Sequence, residues 1–236
     1  MFTVQLAGHR FKICSRYSYV ENLCREYIAE DDPLASEIRI TASERADENR
    51  DGGSWSEGYL EALAVYRKIC EQLIHEDILL FHCSALALNG KAVLFTGPSG
   101  TGKSTHARLW RREFADRIVT INDDKPLISF QKGEIRVWGT PYGGKDNLQS
   151  NTSAPVEAIV VLRQAPENSI RRLNPHEALP LLLNQTYRTA EPVSALHTLD
   201  LVQKLVQLPV YELRCTISRE AVMLCHDTIF GKEVTE

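Results

Sequence analysis

Basic charge is not in surplus in this 236-residue chain: 27 Lys and Arg side chains stand against 31 Asp and Glu, a net charge of −4. A nucleic-acid backbone is held by a cationic excess, so binding of that kind by charge alone is excluded. Long apolar runs are missing too. None approaches the ~18 residues of a membrane-crossing helix, and no membrane association is expected. The opening MFTVQLAGHRFKIC lacks the basic start and extended apolar stretch of a secretory signal. Cysteine pairing motifs are absent: Cys14, Cys24, Cys70, Cys83, Cys215 and Cys225 include no Cys-x-x-Cys. The seven histidines include no His-x-x-x-His pair. Buried, reduced thiols, no structural zinc and a cytoplasmic location are the expectations. Repeats and low-complexity stretches are lacking as well. The rest is ordinary: 43% apolar and 25% charged residues describe a folded chain, not a disordered one, a coiled coil or a collagen. The length suits one large domain or two small ones with a sizeable core.

Strands are predicted at Phe2–Leu6 and Arg10–Cys14 about a turn at Gly8, and again at Glu37–Thr41. The polar stretch 42–58 is expected to be an exposed loop. Ser54 and Glu57 have capping-box spacing, and Tyr59, Leu63, Tyr66, Cys70 and Leu73 recur at helical intervals, so a helix should run to about His75–Asp77. ILLFHCSALAL reads as one strand, turning at Asn89-Gly90 into Lys91–Thr96. A glycine-rich loop and a helix of about a dozen residues follow. Further strands are expected at Arg117–Ile121, Pro126–Gln131, Glu134–Trp138 and Ala158–Leu162, the last central in its sheet, with a late strand at Pro209–Arg214. Helical patterns occupy 175–185 and 196–207, and Ser218 should cap a final helix to about Phe230.

One string carries chemistry. Gly97-Pro98-Ser99-Gly100-Thr101-Gly102-Lys103-Ser104 matches G-x-x-x-x-G-K-[ST], the phosphate-binding or Walker A loop. Its glycines permit positive φ, so successive N–H groups turn inward on an anion, and the next helix adds its N-terminus. Lys103 can reach the β- and γ-phosphates, and the Ser104 hydroxyl can join a Mg²⁺ shell. The strand KAVLFT leads in and the helix STHARLWRREF leads out, the context such a loop requires rather than that of an ordinary glycine turn. One strand later stand Asp123 and Asp124. They read either as a turn-forming cap or as one metal ligand and one proton acceptor. His82 by itself reads as a core or surface histidine.

Taken together, Phe81-His82-Cys83-Ser84, the hairpin, GPSGTGKST and INDD resemble the kinase domain of HPr kinase/phosphorylase, most of all its compact relatives, which include lasso-peptide precursor kinases. The matching core runs from about 79 to 125. TPYGGKDN, the LRQAPENSI strand and the N-terminal SEGYLEALAVYRKI are in keeping with the compact branch. The resemblance implies an α/β fold: a mixed-sheet P-loop kinase core of the type shared with phosphoenolpyruvate carboxykinases, at residues 79–236. A small α+β N-terminal region, 1–78, would pack on it. It implies an ATP- and Mg²⁺-dependent kinase acting on a hydroxyl, in a peptide or protein serine or in a small alcohol. Gly97–Ser104 with Thr105 would bind the nucleotide, Ser104 and Asp124 the metal, and Asp123 would take the proton, with His82 and Lys103 completing the catalytic set. The two aspartates can exchange roles. Thr105 stands where HPr kinases usually carry glutamate, and the later signature of the bifunctional enzymes is not evident, so the reverse reaction is not implied. Homo-oligomers occur among the relatives.

In the polar loop Gly139–Asn151, Lys145 can contact a transferring phosphoryl group and Gly143-Gly144 allows close backbone approach; a plain surface loop is the other reading. Arg108, Arg111 and Arg112 are expected on a solvated face, Trp110 and Phe114 in the core, and Arg163, Arg171 and Arg172 as optional anion contacts. The rival function is a nucleotide-sensing module without phosphotransfer; a carboxykinase-like reaction ranks last.

Overall fold

In the computed structural model, residues 1–131, 133–144 and 146–232 are described. The chain opens with the expected hairpin, β1 (Phe2–Leu6) and β2 (His9–Cys14), antiparallel about Gly8 at φ 86°. Helix α1 (Ser18–Leu23) follows, and β3 (Ser36–Arg39) adds to β2 in parallel, closing a three-stranded sheet. The expected loop at 42–58 is corrected in part. Residues Ala42–Ala46 form a short helix, α2, and Asp47–Asn49 a 3₁₀ turn. The cause is local, because Thr41 and Glu44 form a reciprocal capping box. Helix α3 (Glu57–Leu73) is capped by Ser56, whose hydroxyl accepts from Tyr59 N–H, and not by Ser54.

The single strand expected over 78–88 is two: β4 (Ile78–Leu80) and β5 (Cys83–Leu88). Between them the chain changes neighbours. Phe81 N–H donates to Pro126 O and His82 N–H to Gln185 O. Strand β6 (Lys91–Thr96) returns along β5 through Asn89 and Gly90 at φ 50° and 81°, the two positive values a tight hairpin turn demands. Helix α4 (Lys103–Phe114) leads to β7 (Ile118–Asn122), then the hairpin β8 (Leu127–Gln131) and β9 (Glu134–Trp138).

Strand β10 (Ser153–Gln164) is more than twice the expected length. One edge runs parallel to β6; the other serves β9 at Ser153–Pro155 and, further on, a late strand. Strand β11 (Ser169–Arg172), unexpected from sequence, and helices α5 (Pro175–Leu183) and α6 (Pro192–Leu205) precede that strand, β12 (Val210–Cys215). β12 runs parallel to β10 from Ile159 onward. Helix α7 (Arg219–Phe230), capped by Ser218 as expected, ends the described chain. The result, among the described residues, is a mixed α/β fold around a nine-stranded sheet in which β10 changes neighbour along one edge.

Alternation along β6 divides the core. Val93 and Phe95 face α4 and α7, packing with Trp110, Phe114 and Val222. Ala92 and Leu94 face the other way, with Leu182, Leu201 and Leu205 of α5 and α6. Full burial of each large apolar side chain contributes about 1.5–3 kcal/mol. A third cluster joins Val4, Phe11 and Ile13 of the small sheet to Val65, Ile69 and Leu73 of α3, and continues into Ile78, Leu127 and Tyr142. Side chains of the small sheet and of α3 thus share one cluster with Ile78 of β4 and Leu127 of β8. Among the described residues no helix is long and apolar enough to cross a membrane.

Candidate functional site

The loop between β6 and α4 carries three glycines at positive φ. Gly97, Gly100 and Gly102 stand at φ 143°, 81° and 96°. A side chain on Gly97 would come within 3.2 Å of Leu162 O, whereas the space beside Gly100 and Gly102 is open. The loop is tied down by Thr101, whose hydroxyl donates to Pro98 O at 2.9 Å, and by Gln164 at the end of β10, whose amide donates to Gly100 O at 2.9 Å. Lys103 Nζ donates to Gly97 O at 2.9 Å and Pro98 O at 3.3 Å. Helix α4 starts at Gly102 without a side-chain cap. Its first N–H groups thus have no side-chain cap and carry the partial positive charge of a helix start.

The acidic pair reaches the same place from β7. Asn122, fully buried, anchors the turn: its amide donates to Thr140 O and Oγ1 at 3.0 and 3.1 Å, and its Oδ1 accepts from Asp124 and Lys125 N–H, both at 2.8 Å. Asp123 is buried, and its Oδ1 accepts from the Ser84 hydroxyl at 2.6 Å. Gly144 lies alongside Asp123: a side chain there would stand 3.4 Å from Asp123 Oδ2, an ordinary contact. Asp124 Oδ1 lies 3.1 Å from His82 Nε2, and its Oδ2 meets the Lys125 ammonium. His82 Nδ1 faces Gln185 Oε1 at 3.2 Å. Burial pushes the Asp124 carboxyl up, but the His82 hydrogen bond and the Lys125 charge outweigh it, leaving its pKa below the usual value. Burial draws Lys103 down, opposed by the charge of Asp124 and Asp123.

A cleft of about 780 Å³ collects these groups. Ser99, Gly100, Gly102, Lys103, Ser104 and Thr105 line it, together with His82, Asp123, Asp124 and Gly144. Gly97, Pro98 and Thr101 shape the loop from behind. Lys145 lies outside the described residues. Two of the three optional anion contacts are engaged elsewhere: Arg163 and Arg171 both pair with Glu212, and Arg171 also with Glu177. Trp110 and Phe114 are buried as expected. Cys83, beside His82, is fully buried, and burial pushes its thiol well above the usual cysteine value, so it is no nucleophile. Sequence reasoning assigned no role to Ser84, Asn122, Gln164 or Gln185. Ser84 and Asn122 had a signal, as members of the Phe81–Ser84 and INDD motifs.

Ser104 and Asp124 offer a hydroxyl and a carboxylate to one cleft, the oxygen chemistry that Mg²⁺ takes. Among the described residues there is no group of three or more His, Cys, Asp or Glu that would cage a metal by itself. Any Mg²⁺ here would need further oxygens from a bound ligand or from water.

A mixed α/β protein with a glycine-loop cradle and an acidic pair in one cleft is thereby defined, and its family is found by comparison. The family model described as "SynChlorMet cassette protein ScmC" matches residues 51–223, and the chain belongs to that family. Among solved structures, the HPr(Ser) kinase/phosphatase from Coxiella burnetii is similar at 12% identity and a TM-score of 0.35, over 63% of this chain and 95% of that one. No curated protein matches.

Proposed function

We propose that the protein is an ATP- and Mg²⁺-dependent kinase that transfers the γ-phosphoryl group to a hydroxyl. The observation that carries this is one cleft lined by Ser99, Gly100 and Gly102 to Thr105 on the loop side and by His82, Asp123 and Asp124 at the strand ends. The loop N–H groups, the α4 N-terminus and Lys103 would hold the triphosphate, with Lys103 exchanging its loop carbonyls for phosphate oxygens. Ser104 and Asp124 would hold the metal. Asp123, fixed through Oδ1 by Ser84, would accept the hydroxyl proton on Oδ2 as oxygen attacks phosphorus and the bond to ADP breaks. His82 would hold Asp124 in place. Positioning and charge stabilisation would supply most of the rate, with the base adding about 10²–10⁴-fold.

The test uses labelled ATP, a panel of serine peptides and small alcohols, and calorimetry with Mg²⁺. Lys103→Ala should abolish nucleotide-dependent phosphorylation. Asp123→Asn should bind ATP normally and lose transfer. Wild-type transfer by Asp123→Asn would refute the base assignment. ATP binding with no phosphorylated product from any acceptor would point to a nucleotide sensor, and no heat from ATP or GTP would overturn the whole reading.

A further inference from the structure

Besides its polar side, the cleft has a lining drawn from the N-terminal region. Helix α1 contributes Tyr19 and Leu23, and α3 contributes Tyr59 and Leu63. Each is a Tyr–Leu pair at i, i+4, so each helix turns one tyrosine and one leucine toward the same space. None of the four is charged. The arrangement is built: Gly58 lets α1 lie against α3, because a side chain there would come 2.7 Å from Tyr19 Cβ. The Tyr19 and Tyr59 rings then meet edge to face at 6.3 Å. Trp55, half exposed, continues the row outside the cleft at 5.1 Å from Tyr59.

This wall is fastened to the acidic pair. Tyr66, one turn along α3 from Leu63, donates its hydroxyl to Lys125 O at 2.7 Å, next to Asp124. Its ring stacks on Tyr142 at 3.9 Å and 4°. Helix α3, which carries half of the apolar face, is therefore tied to the turn that carries Asp123 and Asp124, while the charged groups Lys103, Asp123, Asp124, Lys125 and Asp146 line other parts of the same cleft. A polyol or an anionic acceptor would leave polar groups against Tyr and Leu side chains, at a desolvation cost. An apolar neighbour of the hydroxyl would bury favourably there.

Resting on the kinase reading above, we propose that Tyr19, Leu23, Tyr59 and Leu63 form the acceptor subsite and select a hydroxyl flanked by an aromatic or large apolar group, as in a serine between phenylalanines. The test is calorimetry with Mg²⁺ and ADP present, titrating Gly-Phe-Ser-Phe-Gly and Gly-Asp-Ser-Asp-Gly into the wild type and into a Tyr59→Ala, Leu63→Ala double variant. Both side chains are only half buried, so the core survives their loss. The wild type should bind the aromatic peptide at least tenfold more tightly. The double variant should lose that preference and keep its ADP affinity within twofold. Equal binding of the two peptides, or binding of neither, overturns the subsite. A tenfold loss of ADP affinity in the double variant also overturns it, assigning the wall to the nucleotide base while the kinase reading stands. Absence of ADP and ATP binding by the wild type would instead remove the kinase reading itself.

Discussion

Ser84 and Asp123 lie 39 residues apart in sequence and 2.6 Å apart in space, hydroxyl to carboxylate, in a buried setting. The contact exists because β5 and β7 are antiparallel neighbours, pairing Ala85 with Asn122. It gives one oxygen of the acid a fixed partner and so decides how the other is presented.

Ser84→Ala should therefore affect both stability and chemistry. Asp123 would lose its only side-chain donor among the described residues, a loss of about 1–3 kcal/mol on general grounds. Urea denaturation reads that loss. Phosphotransfer should fall in kcat, with ATP affinity unchanged, because Ser84 aims the carboxylate and does not line the cleft. Unchanged kcat with lowered stability would leave Ser84 a purely structural role.

Sheet neighbours explain which features were legible in the sequence. Strands β6 and β9 stand at their expected bounds, because each is a short run closed by its own turn residues. The loop between β6 and α4 was readable because its glycines fall within one short stretch of sequence and stand at positive φ. The break at Phe81-His82 was not, because no glycine or proline marks it; it is imposed by Pro126 and Gln185 from distant segments. Gln164 and Gln185 are invisible, and the bond that Ser84 makes is hidden, for the same reason: each acts through a partner set by topology and not by spacing. The short helix α2 was hidden by its polarity, although Thr41 and Glu44 carried a readable capping signature. The aromatic wall needed the packing of α1 on α3, which Gly58 permits and no periodicity announces.

His106, one turn into α4, sets a pH dependence. It is 4% exposed, lies edge-on to Phe95, and its Nε2 accepts from the Trp110 indole at 3.0 Å, a role only the neutral ring can fill. Burial pushes its pKa down from 6.5 to about 4. Below pH 6.5 the unfolded chain takes up a proton that the folded chain refuses until about pH 4, so stability falls as pH falls through that window. The total is roughly 3 kcal/mol at one protonation site. Urea midpoints measured from pH 7 to pH 4 should decline more steeply for the wild type than for His106→Gln. Parallel declines would exclude His106 as the source.

Glu61 links stability to the acceptor wall. It sits on α3 at 2% exposure, and its carboxylate accepts from Arg16 N–H at 2.9 and 3.2 Å and from Tyr17 N–H at 3.0 Å. A buried carboxylate is tolerated here because it satisfies the unpaired backbone donors at the start of α1. Those donors lie two and three residues before Tyr19, so the same bonds hold the tyrosine over the cleft. Glu61→Ala removes the acceptor and leaves both N–H groups without it, at a cost of about 2–3 kcal/mol. Glu61→Gln keeps one oxygen and should recover part of that. Urea denaturation should rank wild type above Gln above Ala. If α1 positions Tyr19 for the acceptor, the same order should appear in affinity for the phenylalanine-flanked serine peptide, with ADP affinity level across all three. A stability ranking without the affinity ranking would confine Glu61 to folding and detach α1 from the acceptor site.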